Sequence, residues 1–436
     1  MTSTGSSSSA EATKPAATTA ELVVGIASYN DVDTIGDVAA AVRSGLEEAF
    51  DGTASLGGAS IVESRILLAD GGSNDGTPQR AREALGPANA TLVEVTYPRA
   101  AGDLLDVPYH GRPARARALR AILEGAHTPG VKACVVIDGG IRTVAPGWIP
   151  ALAGPVLDGG FDYVSPFYAR HPYEGALTKG IVYPLFRALY GVRLRQPAVG
   201  EFGGSARLVE AYLDADVWDL DSAQIGIDLW LAAGAAAGGF KLCEAPLGRR
   251  TFHTRGEALD LGTTLVQVVG TLFADLEGRV DVWQRVRGSV PVPLIGDPPA
   301  VVLETPQVNV EGLIESFRLG YRELRDIWTW TMPPKSIVDL RRLLDVPPQR
   351  FRLDDDLWAR IVYDFALGYR LRVLPRDHLL RSLTPLYLGW LASMILQVRD
   401  VPPEGADARI EQLALAFEAE KPYLVSRWRW PERFRT

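Results

Sequence analysis

The stretch Arg65-Ile66-Leu67-Leu68-Ala69-Asp70-Gly71-Gly72-Ser73-Asn74-Asp75-Gly76-Thr77-Pro78 decides the fold class. Its first five residues read as a strand buried on both faces, because Ile66 to Ala69 are continuously apolar. A Gly-rich loop carrying Asp70 and Asp75 follows, and Pro78 to Leu85 reads as a helix with proline at its start. The same unit stands upstream. Glu21 to Ala27 is a strand, Ser28-Tyr29-Asn30-Asp31 a loop, and Ile35, Val38, Val42 and Leu46 lie at helical spacing after Asp33-Thr34. Downstream, Thr91 to Thr96 is a third strand and Arg115 to Glu124 a helix. A fourth strand, Ala133 to Ile137, runs into Asp138-Gly139-Gly140-Ile141-Arg142-Thr143. Alternating strands and helices predict an α/β protein with a mostly parallel sheet covered on both faces. In such a sheet ligands gather at the carboxyl ends of the strands. A carboxylate there can accept hydrogen bonds from a base or ribose, and glycines permit close approach of a ligand. The loop lacks the Lys-Ser/Thr ending of a P-loop and the Gly-x-Gly-x-x-Gly of a dinucleotide site.

At 436 residues the chain has room for two or three domains. Hydrophobic content of 47% and charged content of 22% are those of a globular protein. Lys+Arg 45 against Asp+Glu 53 gives −8, so no global charge draws the chain to nucleic acid. Cys134 and Cys243 lie in apolar runs and read as buried free thiols in a reducing compartment. Residues 1–20 are Ser, Thr, Ala and Gly without a signal-peptide apolar core, which predicts a disordered tail. No apolar run reaches the roughly 18 residues of a transmembrane span. The longest, Leu383 to Val398, contains Pro385 and reads as a buried helix. The expectation is a cytoplasmic protein.

The second part of the chain has a different texture. Tyr163 to Tyr168 reads as a strand, Thr178 to Tyr190 as a helix, and Gln196 to Gly204 as a Gly-rich loop carrying Glu201. Ile225 to Ala237 is an apolar helix, Lys241 to Ala245 a short strand, and Arg249 to Gly256 a basic loop with His253. After the amphipathic helix Leu261 to Leu276, Pro291, Pro293, Pro298, Pro299 and Pro306 predict a linker or an extended crossover over 281–308. Residues 309–436 carry Leu, Phe, Tyr and Trp at three- and four-residue spacing, the pattern of a helical C-terminal domain. These helices are too apolar to stand alone in water. They must pack on the rest of the chain or on a second subunit, as a homodimer.

Taken in order, Ser28-Tyr29-Asn30-Asp31, the loop Asp70 to Thr77 and the strand end at Asp138 resemble the sugar-nucleotide half of family-2-type glycosyltransferases of the GT-A fold. Glu174-Gly175, Gln196-Pro197, Gly200-Glu201, Gly226-Ile227-Asp228 and Leu247 to His253 resemble glucosyl-3-phosphoglycerate synthase and its relatives that make glucosylglycerate or mannosylglycerate. The resemblance implies a GT-A domain, Rossmann-like with helices on both faces of the sheet, over 21–280. It further implies a retaining hexosyltransferase. The donor would be UDP-glucose, GDP-glucose or GDP-mannose, and the acceptor a small hydroxy acid, D-glycerate or 3-phosphoglycerate.

Residue by residue, the resemblance puts Ala27, Tyr29, Asp31, Asp70 and Gly71 around the nucleotide and Arg112 near the donor. Asp138, with Gly139 and Gly140, stands at the Asp-x-Asp position, and Glu201 and Asp228 join Asp138 as the catalytic acids. Thr178, Gly203 and Arg255 would meet the acceptor, and Asp138 and His253 would hold Mg²⁺ or Mn²⁺. The motif departs from the pattern at Gly140, because glycine cannot replace a carboxylate on Mg²⁺. Either Asp138 and His253 hold the ion with diphosphate oxygens and water, or Arg142, Arg249, Arg250 and Arg255 replace part of its charge. The rival readings are transfer to a lipid or glycan acceptor, and a sugar-nucleotide-binding protein with degraded catalysis.

Overall fold

The computed structural model describes residues 20–50, 63–86, 92–97, 114–218, 221–251, 261–299 and 306–431. Strand and helix alternate through the first half. β1 (Leu22–Ser28) leads to α1 (Val32–Phe50), β2 (Ser64–Asp70) to α2 (Thr77–Leu85), β3 (Leu92–Thr96) to α3 (Arg115–Ala126) and β4 (Ala133–Asp138) to α4 (Trp148–Leu157). Next come β5 (Tyr163–Tyr168), α5 (Tyr183–Tyr190), β6 (Val192–Arg193), β7 (Phe202–Ser205) and α6 (Ala206–Leu213). They are followed by α7 (Asp221–Ala237), β8 (Leu242–Gly248), α8 (Leu261–Gly278), α9 (Val280–Trp283) and β9 (Val290–Pro291). The C-terminal region is helical: α10 (Val310–Thr331), α11 (Pro334–Arg342), α12 (Asp355–Leu371), α13 (Arg376–Ser382), α14 (Thr384–Val398) and α15 (Pro403–Arg429). The predicted tail over 1–20 lies, apart from Ala20, outside the described residues.

Seven strands make one sheet in the order β3-β2-β1-β4-β7-β5-β8. All neighbours are parallel except β7, which is antiparallel to β4 and β5. The reversal matters for the site. The N-terminal end of β7 lies at the sheet edge where the parallel strands end, and Val136 faces Phe202, so Gly200 and Glu201 arrive beside Asp138. In the same register Ser28 faces Asp70 and Ala27 faces Asp138.

The predicted loop over 196–204 is corrected at its end, where Phe202 to Ser205 form β7. Gly203 is an interior sheet residue, and a Cβ on it would run into the Leu152 carbonyl of α4. It serves close helix–sheet packing and does not line an acceptor site.

Alternation along the strands divides the core. Val23, Ala27, Leu67, Cys134 and Val136 face α3 and the layer that includes α5 to α8. Leu22, Val24, Ile26, Leu68 and Val135 face α1, α2 and α4. The α/β class, with helices on both faces and a helical C-terminal region, is therefore the observed one. Both cysteines are buried free thiols, and burial pushes each up to about 12, which makes them inert as nucleophiles at neutral pH.

The C-terminal helices extend the first of these cores. Trp358 Nε1 donates to the Gly180 carbonyl at 2.8 Å, and Trp358 stacks on Trp390 at 5.9 Å between centroids. The Trp390 ring occupies the place a Cβ on Gly180 would take. Here the helix predicted over 178–190 starts as a π-helical turn, Thr178–Val182, before α5. Buried Arg187 of α5 pairs with Glu411 and Glu418 of α15 at 2.5 and 2.6 Å.

Within the segment read as a linker or an extended crossover, residues 290–295 bond to the sheet edge and to β6. Glu244 N donates to Pro293 O and Ile295 N to Glu244 O, both at 2.8 Å, and β9 pairs with β6. Proline fixes an extended backbone whose carbonyls still accept, so this segment straps the sheet edge. Helix Arg376–Val398 is long and apolar enough to cross a membrane, beyond what the reading of Leu383 to Val398 allowed, and two thirds of its most apolar window is buried inside the protein.

Trp390→Ala should lower stability by about 3–5 kcal/mol, the cost of emptying a buried aromatic site, as read by chemical denaturation. A chain cut after residue 299 should elute as aggregate in size-exclusion chromatography, because it bares the face that α10 to α15 cover.

Candidate active site

Two loops meet at the ends of β1 and β2. Asp70 Oδ1 accepts from Ser28 Oγ at 2.9 Å and Ser73 Oγ at 2.6 Å, and Oδ2 accepts from the Gly72 and Ser73 amides at 2.9 and 2.7 Å. Further bonds tie the loops together. Asn30 N donates to Ser73 Oγ at 2.8 Å, Asn74 N to Asn30 Oδ1 at 3.1 Å and Asp31 N to Thr77 Oγ1 at 2.7 Å. Asn30 takes the left-handed conformation, φ 51°, which asparagine tolerates better than most residues. Both oxygens of Asp70 shape the loop that carries Gly71 to Thr77.

Gly139 fixes how β4 leaves the sheet. Its amide donates to Ala27 O at 2.9 Å, and its carbonyl accepts from Thr34 Oγ1 at 2.7 Å. A Cβ on it would lie 3.0 Å from both Ala27 O and Asp31 Oδ2. Asp31 in turn accepts from Tyr29 N at 3.0 Å. Ala27, Tyr29, Asp31, Asp70, Gly71 and Gly139 are thus gathered in one region, at the carboxyl edge of the sheet.

At its centre lies a buried charge cluster. Asp138, 2% exposed, accepts from Gly140 N at 2.8 Å through Oδ1 and from Arg115 Nη1 at 2.9 Å through Oδ2. Arg115, 1% exposed, also donates from Nε to both Asp228 oxygens, at 2.9 and 2.7 Å, and from Nη2 to Gly200 O at 2.5 Å. Glu201 accepts from Arg250 Nη2 at 2.9 Å and from Tyr168 OH at 2.8 Å. Burial alone would lower the Arg250 guanidinium; the charges of Glu201, Tyr168 and Asp138 hold it above its ordinary value. Asp228 comes from the kink of α7 at Gly226, where the missing side chain makes room for Thr271 of α8.

The three acids singled out from the sequence, Asp138, Glu201 and Asp228, are therefore brought together with two arginines. Arg250 is one of the arginines that the sequence offers to replace part of the ion's charge. Arg115 is not legible there: in Arg115-Ala116-Arg117-Ala118-Leu119-Arg120 it reads as one cation of a solvated helix face. Only its place as the first residue of α3, after left-handed Ala114 at φ 53°, turns it inward. Arg112, His253 and Arg255 lie outside the described residues.

Further cations stand on the segments after β5 and β8. Lys179, on the π-helical turn beside Thr178, donates to His171 O at 2.8 Å and Pro172 O at 3.1 Å, and burial lowers it to about 8. Arg249 lies 3.8 Å from Glu174. The loop after β8 is pinned to the loop after β4, since Arg142 N donates to Thr251 O at 2.9 Å and Thr251 N to Thr143 Oγ1 at 3.0 Å.

A divalent ion at Asp138 needs more ligands than that residue. Both Asp138 oxygens are already engaged by Arg115 and Gly140 N, and Gly140 brings no side chain. Among the described residues no group of three or more His, Cys, Asp or Glu side chains could hold a metal ion. The described residues do not fit the ion that the sequence resemblance implies.

No protein-family model matches the chain, and no curated protein matches it. Among solved structures it resembles glucosyl-3-phosphoglycerate synthase from Mycobacterium tuberculosis in complex with Mn²⁺, UDP and glucosyl-3-phosphoglycerate. The identity is 24% and the TM-score 0.40, over 61% of this chain and 86% of that one. The same enzyme in complex with Mg²⁺ and UDP is 23% identical, with a TM-score of 0.40, over 59% of this chain and 79% of that one. Superpositions this loose transfer no residue roles.

Asp70→Ala removes the acceptor of four hydrogen bonds and should lower stability by about 2–3 kcal/mol in urea denaturation. Asp75 gives a pH test. Burial pushes its carboxyl up, but the Thr77 hydroxyl and the Val32 and Thr77 amides outweigh that, and it lies below its ordinary value. A carboxylate lowered on folding stabilises the protein above its unfolded value, and the effect is lost as pH falls through the folded one. Asp75→Asn should therefore be less stable than the parent at neutral pH, and the difference should shrink as pH falls through the folded value of the carboxyl.

Proposed function

We propose that this protein is a retaining hexosyltransferase. It moves a hexose from a nucleoside diphosphate sugar to a small hydroxy acid such as D-glycerate or 3-phosphoglycerate. The observation that carries this reading is the convergence of Asp138, Glu201 and Asp228, remote in sequence, beside the Gly-rich cradle at the carboxyl edge of a mostly parallel sheet. That edge is where open α/β sheets bind their ligands. Ala27, Tyr29, Asp31 and the loop from Asp70 hold the nucleotide, and Asp138 faces its ribose. Glu201 and Asp228 orient sugar hydroxyls.

Each acid is paired with a guanidinium, which suits it to accept hydrogen bonds and not to attack carbon. Retention then follows from front-face attack. The C1–diphosphate bond breaks through an oxocarbenium-like state, the acceptor oxygen bonds to C1 from the same side, and the departing diphosphate oxygen takes the acceptor proton. Arginines and backbone N–H groups stabilise the leaving charge. The cations Lys179 and Arg249, with Thr178 beside them, suit an anionic acceptor. Inert buried thiols suit the cytoplasm. The same ion pairs favour a second reading, a sugar-nucleotide-binding protein with little turnover.

Thermal shift with UDP-glucose, GDP-glucose and GDP-mannose selects the donor, since a ligand at 100 times its Kd stabilises the native state by about 2.7 kcal/mol. Transfer to D-glycerate or 3-phosphoglycerate, followed by NMR at the anomeric carbon, should give a retained configuration. Glu201→Gln should lower kcat by about 10²–10³-fold while nucleotide affinity stays within a few fold. Binding without any transfer would select the second reading. No binding of any nucleotide sugar would remove both.

A further inference from the structure

The oxygens around Arg115 are of the kinds that hard cations take. Asp138 Oδ2 lies 2.9 Å from Nη1, the Asp228 oxygens 2.9 and 2.7 Å from Nε, and Gly200 O 2.5 Å from Nη2. Two carboxylates and a carbonyl are ligands that Mg²⁺ or Mn²⁺ would take. Here the cation among them is a guanidinium, permanently charged and held by the chain itself. Gly200 keeps the space open, because a Cβ there would lie 2.6 Å from Arg115 Nη2. With Arg115 in place a dication meets a like charge at contact range in a buried environment, where repulsion is only weakly screened.

We propose that Arg115 takes the place of a divalent ion in this site, so that the nucleotide is bound without metal. The inference rests on the nucleotide-sugar reading above. Arg115 acts through Asp138 and Asp228. It holds the end of β4, the kink of α7 and the segment before β7 at fixed distance, and it supplies the positive charge that the two carboxylates require. It is a positioning residue. Removing the guanidinium takes away the cation that Asp138, Asp228 and the Gly200 carbonyl share.

The test is titration of the wild-type protein with MnCl₂ alone, followed by electron paramagnetic resonance, beside Arg115→Lys and Arg115→Ala. Wild type and Arg115→Lys should leave the free Mn²⁺ signal unchanged. Arg115→Ala should bind about one Mn²⁺ and gain thermal stability from it, a rescue that a merely structural role for Arg115 would not produce. Wild-type affinity for the donor found by thermal shift should be the same within about twofold in excess EDTA or Mn²⁺. Stoichiometric Mn²⁺ binding by wild type that Asp138→Asn abolishes would overturn the proposal, as would loss of nucleotide binding in EDTA. If Arg115→Ala does not fold, wild type and Arg115→Lys still decide. If wild type binds no nucleotide with or without Mn²⁺, the functional reading fails, and the Mn²⁺ titration still shows whether Arg115 fills a cation site.

Discussion

The guanidinium of Arg115, bonded at once to Asp138, Asp228 and the Gly200 carbonyl, is the contact on which the site depends. Burying a guanidinium and two carboxylates costs several kcal/mol per ion, and the cost is offset only by close geometry and satisfied hydrogen bonds. Both conditions are met, because the planar fork of arginine presents its donors in fixed directions. Such a contact contributes little net stability. Breaking it by removing one partner costs about 3–5 kcal/mol, since the remaining charges stay buried after losing a close opposite charge. It therefore acts as a constraint: α3, β4, α7 and the segment before β7 can take only the arrangement that satisfies all of its bonds.

The reversed strand β7 makes that constraint possible. In an all-parallel sheet the segment entering a strand lies at the opposite edge from the segments leaving its neighbours. Because β7 is antiparallel to β4 and β5, Gly200 and Glu201 enter at the edge where Asp138 and Tyr168 leave. Glycine permits the close approaches, with α4 packed against Gly203 and the two arginines against Gly200. The result is a rigid polar centre beside a cradle whose backbone amides are held by Asp70, Ser73, Asp75 and Thr77.

The C-terminal helices stabilise this half from behind. Trp358 and Trp390 close over Gly180, and Arg187 ties α5 to α15. The π-helical turn at Thr178–Val182 inserts an extra residue at the point of closest packing, a feature that often accompanies function. It also presents Thr178 and Lys179 beside the loop after β5, so the packing of the added helices and the shape of that loop are one structural problem.

By itself the sequence determined the layers. Unbroken apolar runs such as Ile66 to Ala69 and Ala133 to Ile137, bounded by turn residues, read as strands covered on both faces, and the helical spacing of Ile35, Val38 and Val42 supplies an apolar face to cover them. It also pointed to Asp138, Glu201 and Asp228, through a resemblance carried by short ordered motifs. What it could not decide was which charge meets which. Periodicity and turn chemistry report on neighbours a few residues away, whereas Arg115 and Asp228 are 113 residues apart and meet only because α3 and α7 lie on the same face of the sheet. For the same reason Gly203 read as part of a loop until the reversed strand placed it in the sheet, and the prolines after Val290 read as a linker or an extended crossover until the edge of β8 gave the Pro293 carbonyl a donor. Local patterns specify which face of an element is apolar; the partner of a buried charge is specified only by the assembled fold, because it is the removal of water that compels the charge to find one.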